Sequence, residues 1–97
     1  MPEGSSVRVR ALGSLDLATV PLLQARVSEL REAGWREFVI DLSGLEFMDS
    51  TGLRLILQWD ADARQDGWGF SLVPGRPAVQ RVFEVTGMLH RLPFAGD

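Results

Sequence analysis

The run Phe38–Leu42 constrains the fold most, because it is short, rich in β-branched residues and almost wholly apolar. Such a run is typical of a strand that is covered on both faces, as in a parallel sheet under helices. Apolar residues spaced three and four apart precede it, at Val20, Leu23, Val27 and Leu30. That spacing draws one stripe along a helix. The pattern therefore predicts a helix that leads into a buried strand.

The rest of the chain continues this alternation of strand and helix. Val7–Leu12 alternates apolar and polar residues and predicts a half-buried strand, which Gly13 and Ser14 break. Trp68–Val73 predicts a third strand. Leu92–Phe94 predicts a short edge strand or a surface segment, because proline suits only an edge.

Three helices are predicted between and after these strands. The first has Thr19 as its N-cap and Gly34 as a left-handed cap at its end. The second runs from Ser50 to about Arg64, and the third starts at Pro77 and ends at Gly87. The residues predicted to face inward are Leu53, Ile56, Leu57 and Ala61 in the second helix and Val79, Val82, Phe83 and Thr86 in the third.

This order predicts the α/β class, a sandwich with helices packed on a mixed, mostly parallel sheet of about four strands. The length of 97 residues suits a single domain, 1–97, with an ordered core over about 7–94 and ragged ends. No apolar run approaches the roughly 18 residues that span a membrane, and no signal peptide is read at the start. No membrane insertion is expected.

Composition excludes several classes of site. The chain has no cysteine, which removes disulfides, thiolate nucleophiles and cysteine-based metal sites and is consistent with a cytoplasmic protein. Its net charge of -3 disfavours direct binding to nucleic acid, for which cationic side chains supply most of the affinity. The single histidine, His90, cannot build a histidine-rich metal site. We therefore expect neither metal nor cofactor.

The segment Asp49–Gly52, between a predicted strand and a predicted helix, carries the chemistry of the chain. One interpretation is a cluster of N-capping groups, because Asp and Ser side chains accept hydrogen bonds from free helix N–H groups. The other is a surface hydroxyl at Ser50, whose phosphorylation would add about 1.5 to 2 negative charges. A nucleophile elbow is disfavoured, because Met48 stands where that motif has glycine. No catalytic residue is predicted, and the chain is not expected to be an enzyme.

Three segments together resemble a STAS domain, and within that superfamily the bacterial anti-sigma factor antagonists. They are Gly13–Asp16, the run FVIDLSGLEFMDSTGL, and Val79–Gly87 with its F-x-x-T-G end. The resemblance spans about Val9 to Phe94. It implies a module that, unphosphorylated, binds an anti-sigma factor and thereby releases a sigma factor. The resemblance further implies that this anti-sigma factor is also a serine kinase of the histidine-kinase-like ATPase fold, and that a PP2C-type phosphatase restores the antagonist.

The resemblance also implies roles for single residues. Ser50 is the phosphoacceptor, and Asp49 is the neighbour that shapes the site. Thr51 and Gly52 make contacts at the helix start. Asp16 lies on the rim of the docking face. Arg54 replaces a small residue of the family and is either an added cation near that face or a solvated helix residue.

Two departures keep a second hypothesis open. Ser14 stands where the family commonly has Glu, and the first edge strand is expected to be missing or reduced to Pro2–Ser6. Such a loss would expose an edge able to pair with another chain, for example in a weak homodimer. The alternative function is a STAS scaffold without phosphorylation, as an accessory subunit of a transporter or sensory complex. Trp59, next to Asp60, is expected to be partly exposed at an interface.

Overall fold

The structure, a computed structural model, describes residues 6–94 and contains five strands and three helices. The reduced strand expected over Pro2–Ser6 therefore falls outside the described residues except for Ser6, and so do the ragged ends. The elements in chain order are β1 Ser6–Arg10, β2 Gly13–Leu15, α1 Val20–Glu32, β3 Glu37–Asp41, β4 Leu45–Met48, α2 Ser50–Asp66, β5 Gly69–Val73 and α3 Pro77–Val85. The predicted α/β class is confirmed.

The strands form one three-stranded ladder and one two-stranded ladder. The first has the order β1-β3-β5, with Val9 paired to Ile40 and Ile40 paired to Leu72. The second pairs β2 with β4. All strand pairs within residues 6–94 are parallel, as the predicted alternation of strand and helix requires. An isolated bridge joins Leu72 to Phe94, so the predicted edge contact at the chain end is present.

The second ladder corrects the prediction that Gly13 and Ser14 end the first strand. Gly13–Leu15 instead forms β2, with a register shift between Gly13 and Ser14 against β4. Strand β4 itself was not predicted. Its four residues have no clear period, and only their pairing with β2 makes them a strand. A turn at Ser43 and Gly44 precedes β4, where the N–H of Leu45 donates to the carbonyl of Leu42 over 3.0 Å.

Helix α2 is the central helix, in contact with α1, α3, β4 and β5. It starts at Ser50 as predicted, and Gly67 ends it with a φ of 76°. Because it has neighbours on several sides, its buried stripe is wider than the sequence indicated. The residues buried along it are Gly52, Leu53, Leu55, Ile56, Trp59 and Ala63.

Three predictions about side chains on the helices are wrong, and the wider buried stripe of α2 explains the first of them. Trp59 is only 5% exposed, with its ring in edge contact with Phe70, so it is a core residue and not an interface residue. Ala61, predicted inward, is exposed. Thr86 is exposed as well, beyond the end of α3. None of the three helices in residues 6–94 is both long and apolar enough to cross a membrane.

Candidate functional site

The backbone of Asp49 is extended and stops β4, and α2 begins at the next residue, Ser50. The Asp49 carboxylate accepts the N–H of Thr51 over 2.9 Å and the N–H of Gly52 over 3.3 Å. These two bonds satisfy N–H groups that the helix cannot satisfy itself. Asp49 is therefore the cap of α2.

Ser50 is left free by this arrangement. It is exposed, and its hydroxyl makes no side-chain hydrogen bond within the part of the chain that the structure describes. Both of its predicted positional features are present: it is the first residue of α2, and it is open to solvent. The role of Ser50 as phosphoacceptor does not follow from these positions and stays a prediction. What the geometry provides is a hydroxyl at the positive end of a helix dipole.

Gly52 allows α2 to start directly on the strands. A Cβ atom at this buried position would lie 2.7 Å from Cγ of Met48 and 2.9 Å from Cγ of Leu15. The N–H of Asp49 also donates to the carbonyl of Leu15 over 3.2 Å. Gly52 therefore positions the site through packing and presents no side chain of its own.

Asp16 holds the turn that leads into α1. Its carboxylate accepts the N–H of Ala18 over 3.0 Å and the N–H of Thr19 over 3.1 Å. Thr19 occupies the N-cap position as predicted, but its side chain does not cap the helix. Its hydroxyl donates instead to the carbonyl of Ser14 over 2.8 Å. Asp16, three residues upstream, takes over the capping of this turn.

The two aspartates stand at the same end of the sheet. Asp16 follows β2 and Asp49 follows β4, and these strands are parallel neighbours with Leu15 paired to Met48. The carboxyl ends of parallel strands meet at one edge. The structure thus brings together the predicted residues Asp16, Asp49 and Ser50.

Two exposed apolar side chains beside these residues were missed by the sequence analysis. Leu17, next to Asp16, is 77% exposed, and Phe47, two residues before Asp49, is 52% exposed. Leu17 lies outside the helical stripe that starts at Val20, which is a signal that the sequence offered. Phe47 had no such signal, because its type and its neighbours suggest a core residue.

Arg54 completes the surface from the helix side. It is exposed and lies four residues after Ser50 on α2, so the two side chains are neighbours on one helix face. No salt bridge holds Arg54 within residues 6–94. Its guanidinium is therefore available to an anionic group at Ser50 or on a partner. Thr51, the remaining predicted residue, is half-buried.

We call Asp16, Leu17, Phe47, Asp49, Ser50 and Arg54 together the α2-start surface. It offers two carboxylates, a free hydroxyl, a cation and two apolar side chains. His90 is exposed in the segment that follows α3. No cluster of three or more histidine, aspartate or glutamate residues able to hold a metal ion occurs among residues 6–94. The surface is suited to docking a partner.

The most buried charge of the described chain, Asp41, is not one of the residues of this surface. Asp41, at the end of β3, is 2% exposed and accepts from Nε and Nη2 of Arg8 over 3.0 and 2.7 Å. Burial by itself would raise the pKa of Asp41. Hydrogen bonds from Ser43 and the charge of Arg8 outweigh burial and lower this pKa to about 2. Asp41 is thus a structural ion-pair partner of β1.

Residues 2–93 match the family described as Mlab, STAS domain. Over 80 residues the chain is 31% identical to the anti-sigma-B factor antagonist of Staphylococcus aureus strain NCTC 8325, which covers 82% of this chain and 74% of that protein. The fold is similar to that of the anti-sigma factor antagonist SpoIIAA in its unphosphorylated form. The TM-score is 0.76 at 24% identity, over 100% of this chain and 85% of the other.

A second solved structure is similar to the same extent. It is an anti-sigma factor antagonist from Mycobacterium paratuberculosis, with a TM-score of 0.76 at 27% identity. The similarity covers 100% of this chain and 82% of that one. Each of these solved structures thus matches the full length of the chain.

Proposed function

Because the chain belongs to the STAS domain family, we propose that it is an anti-sigma factor antagonist whose partner docks on the α2-start surface. The observation that carries the proposal is the state of Ser50. Its hydroxyl is exposed at the first residue of α2 and is not needed as a cap, since Asp49 already fills that position. A hydroxyl so placed can be modified without dismantling the helix.

Leu17 and Phe47 supply the apolar part of the docking surface. Both are large side chains more than half exposed, and each lies within two residues of one of the two aspartates in the sequence. Aromatic and aliphatic side chains that become buried at the centre of an interface carry much of its binding energy. We therefore assign the energy of docking mainly to this apolar pair and its orientation to Asp16 and Asp49.

Ser50 is the switch in this proposal. The anti-sigma factor, a serine kinase of the histidine-kinase-like ATPase fold, transfers the γ-phosphoryl group of ATP to the Ser50 oxygen, which loses its proton. The phosphate adds about 1.5 to 2 negative charges next to Asp49. The N-terminus of α2 accepts an anion, and Arg54 lies one turn away to balance part of the charge. The fold survives while the docked partner is released, and a PP2C-type phosphatase hydrolyses the phosphoserine.

The test compares binding and folding in the same variants. Pull-down from cells of the source organism, read by mass spectrometry, identifies the kinase partner, and calorimetric titration measures its affinity. Ser50→Asp should weaken binding by more than tenfold, since an unpaired charge at an interface costs about 2 to 5 kcal/mol. Ser50→Ala should bind like the wild type and resist the kinase.

Ser28→Asp is the matched control, because Ser28 is exposed on α1 outside the α2-start surface. It should bind like the wild type. Phosphate found on Thr51 after kinase treatment would overturn the assignment to Ser50. Equal affinities of the wild type and Ser50→Asp would overturn the switch and leave the second candidate.

The second candidate is a STAS scaffold that holds a larger assembly together without a phosphorylation cycle. Ser14 favours it, because it is half-buried and stands where the resemblance implies a glutamate that contributes to the charge of the rim. For a scaffold we expect a partner other than a kinase, and a Ser50→Asp affinity equal to that of the wild type.

A further inference from the structure

Strand β1 has an unpaired side within the described chain. It pairs with β3 alone. The N–H of Ala11 donates to the carbonyl of Asp41 over 3.0 Å, so Ala11 points its backbone groups toward the β3 side. Since successive residues of a strand point these groups to opposite sides, Arg8 and Arg10 direct their N–H and C=O outward. These are free positions for another strand.

A groove of about 430 Å³ lies along this edge, between β1 and α1. Val7 and Val9 line it from the strand, and Leu22, Leu23 and Leu30 line it from the helix. Leu22 is 71% exposed. A strand added to β1 would turn every second side chain toward this groove, because side chains alternate between the faces of a sheet. The groove therefore accepts apolar side chains at alternate positions.

The charges along the groove are all of one sign. Arg8, Arg10 and Arg26 line it, and no acidic residue does, although the chain as a whole has a net charge of -3. Asp41 neutralises Arg8, and Glu29 contacts Arg26 over 3.3 Å on the surface. Arg10 is exposed and forms no salt bridge within residues 6–94. The open edge is thus locally basic.

This charge disfavours a second copy of the chain as the occupant. Antiparallel pairing of β1 with itself about Val9 would place Arg10 opposite Arg8 of the other copy, and pairing about Arg10 would place Arg10 opposite Arg10, although no acidic residue of residues 6–94 pairs with Arg10. Like charges directly opposite each other destabilise a strand pair. An acidic strand would instead meet Arg10, which has no salt bridge within residues 6–94, with opposite charge.

We propose that the β1 edge binds an extended segment of a partner protein in which acidic and aliphatic residues alternate. Its backbone adds a strand to β1, its aliphatic side chains enter the groove and its carboxylates lie on the face of the strand that carries Arg10. This form of recognition takes affinity from main-chain hydrogen bonds and specificity from alternate side chains. The inference goes beyond the antagonist function, because Asp49, Ser50 and Arg54 do not line the groove.

The first experiment titrates the full chain with a peptide of alternating glutamate and valine, and with one of alternating lysine and valine. Only the glutamate peptide should bind, and more weakly as salt increases. Hydrogen exchange read by NMR should show new protection at the Arg8 and Arg10 amides. Two versions of the glutamate peptide carry N-methyl groups on the backbone amides of one edge or of the other edge. Only the version whose amides are free on the edge that faces β1 should bind. Equal binding of both charges, or no new protection, would overturn the proposal.

The second experiment uses paired variants of exposed residues. Arg10→Glu and Leu22→Glu should each weaken binding of the glutamate peptide by about tenfold or more, a change of roughly 1.4 kcal/mol. Arg81→Glu and Val85→Glu, at exposed positions of α3, are the matched controls and should bind within twofold of the wild type. Thermal melting checks that all four variants fold.

Two further outcomes are decisive. A free chain that is dimeric, with its Arg8 and Arg10 amides already protected, would assign the edge to a second copy and overturn the proposal. Ser50→Asp should bind the glutamate peptide like the wild type. Failure at the β1 edge and failure of the Ser50 switch are therefore distinguishable.

Discussion

At the scale of single residues, the neighbours Asp49 and Ser50 have different roles at the start of α2: the first caps the helix and the second exposes its hydroxyl. Asp49 accepts the N–H groups of Thr51 and Gly52, whereas Ser50 remains free. Asp49→Ala should lower the free energy of unfolding by about 1 kcal/mol, the usual cost of a lost N-cap. Ser50→Ala should change it by less than about 0.5 kcal/mol, as other surface substitutions do. Urea denaturation of both variants measures this, and equal losses would mean that Ser50 shares the capping.

Asp41 should make the stability of the chain depend on pH in the acid range. Its pKa is about 2 in the folded chain and about 3.9 in an unfolded one. A lowered folded pKa stabilises the protein above the unfolded pKa, and this stabilisation is lost as pH falls from about 4 through about 2. Asp41→Asn should therefore cost about 2 kcal/mol at neutral pH and progressively less below pH 4.

Denaturation curves at several pH values, from neutral to about 2, measure that difference. Glu84→Gln is the control, because Glu84 is exposed on α3 and contributes no salt bridge within residues 6–94. Its effect should be small at every pH. A constant difference between Asp41→Asn and the wild type would show that ionisation of Asp41 contributes nothing to the stability.

At the scale of elements, the position of α2 depends on its close approach to β2 and β4 at Gly52. Alanine in a helix is usually more stable than glycine by about 0.5 to 1 kcal/mol. Here the added methyl group would meet Met48 and Leu15 at less than 3.0 Å, and such overpacking costs about 1 to 3 kcal/mol. Gly52→Ala should therefore destabilise the chain, as measured by urea denaturation.

The Met48→Ala background provides the check on that reasoning. With the nearer contact removed, the methyl group of Gly52→Ala should cost less than it does in the wild type. A stabilising Gly52→Ala in the wild-type background would contradict the close approach of helix and strands.

The elements differ in how far the sequence predicts them. The helix starts at Ser50 and Pro77 and the αL end at Gly67 were predictable, because caps and glycines act within a few residues. Strands β2 and β4 were not, since three or four residues become a strand only through a partner far away in sequence. The exposure of Trp59 was misjudged for a related reason. Its neighbour Asp60 suggested a solvent-exposed face of α2, but the packing of α2 on several elements buries the Trp59 ring.

At the scale of the whole molecule, the proposed function requires one continuous surface built from β2, β4 and α2. Phe47→Ala should weaken binding of the anti-sigma factor by about tenfold or more, because truncating a hot-spot residue typically costs over 1 kcal/mol. Stability should hardly change, since Phe47 is 52% exposed. Val85→Ala, at a position 68% exposed on α3, is the control and should leave affinity unchanged. Calorimetry and thermal melting provide the two readouts.

The sequence predicted the polar half of this surface and missed its apolar half. Asp49 and Ser50 stand out by type and position, the family resemblance singled out Asp16, and the parallel pairing of β2 with β4 brings the three residues to one sheet edge. The exposure of Phe47 depends on what the fold leaves uncovered, which only the assembled molecule decides.

The parallel pairing of every described strand also has a consequence for how the chain acquires its fold during synthesis. Strand β1 leaves the ribosome before its partner β3, and the whole of α1 lies between them. Such nonlocal pairing delays folding, because loop closure precedes the contacts that reward it. Until β3 emerges, both sides of β1 are open to other strands. Charges at alternate positions of a strand disfavour pairing with other strands, and Arg8 and Arg10 occupy such positions on β1.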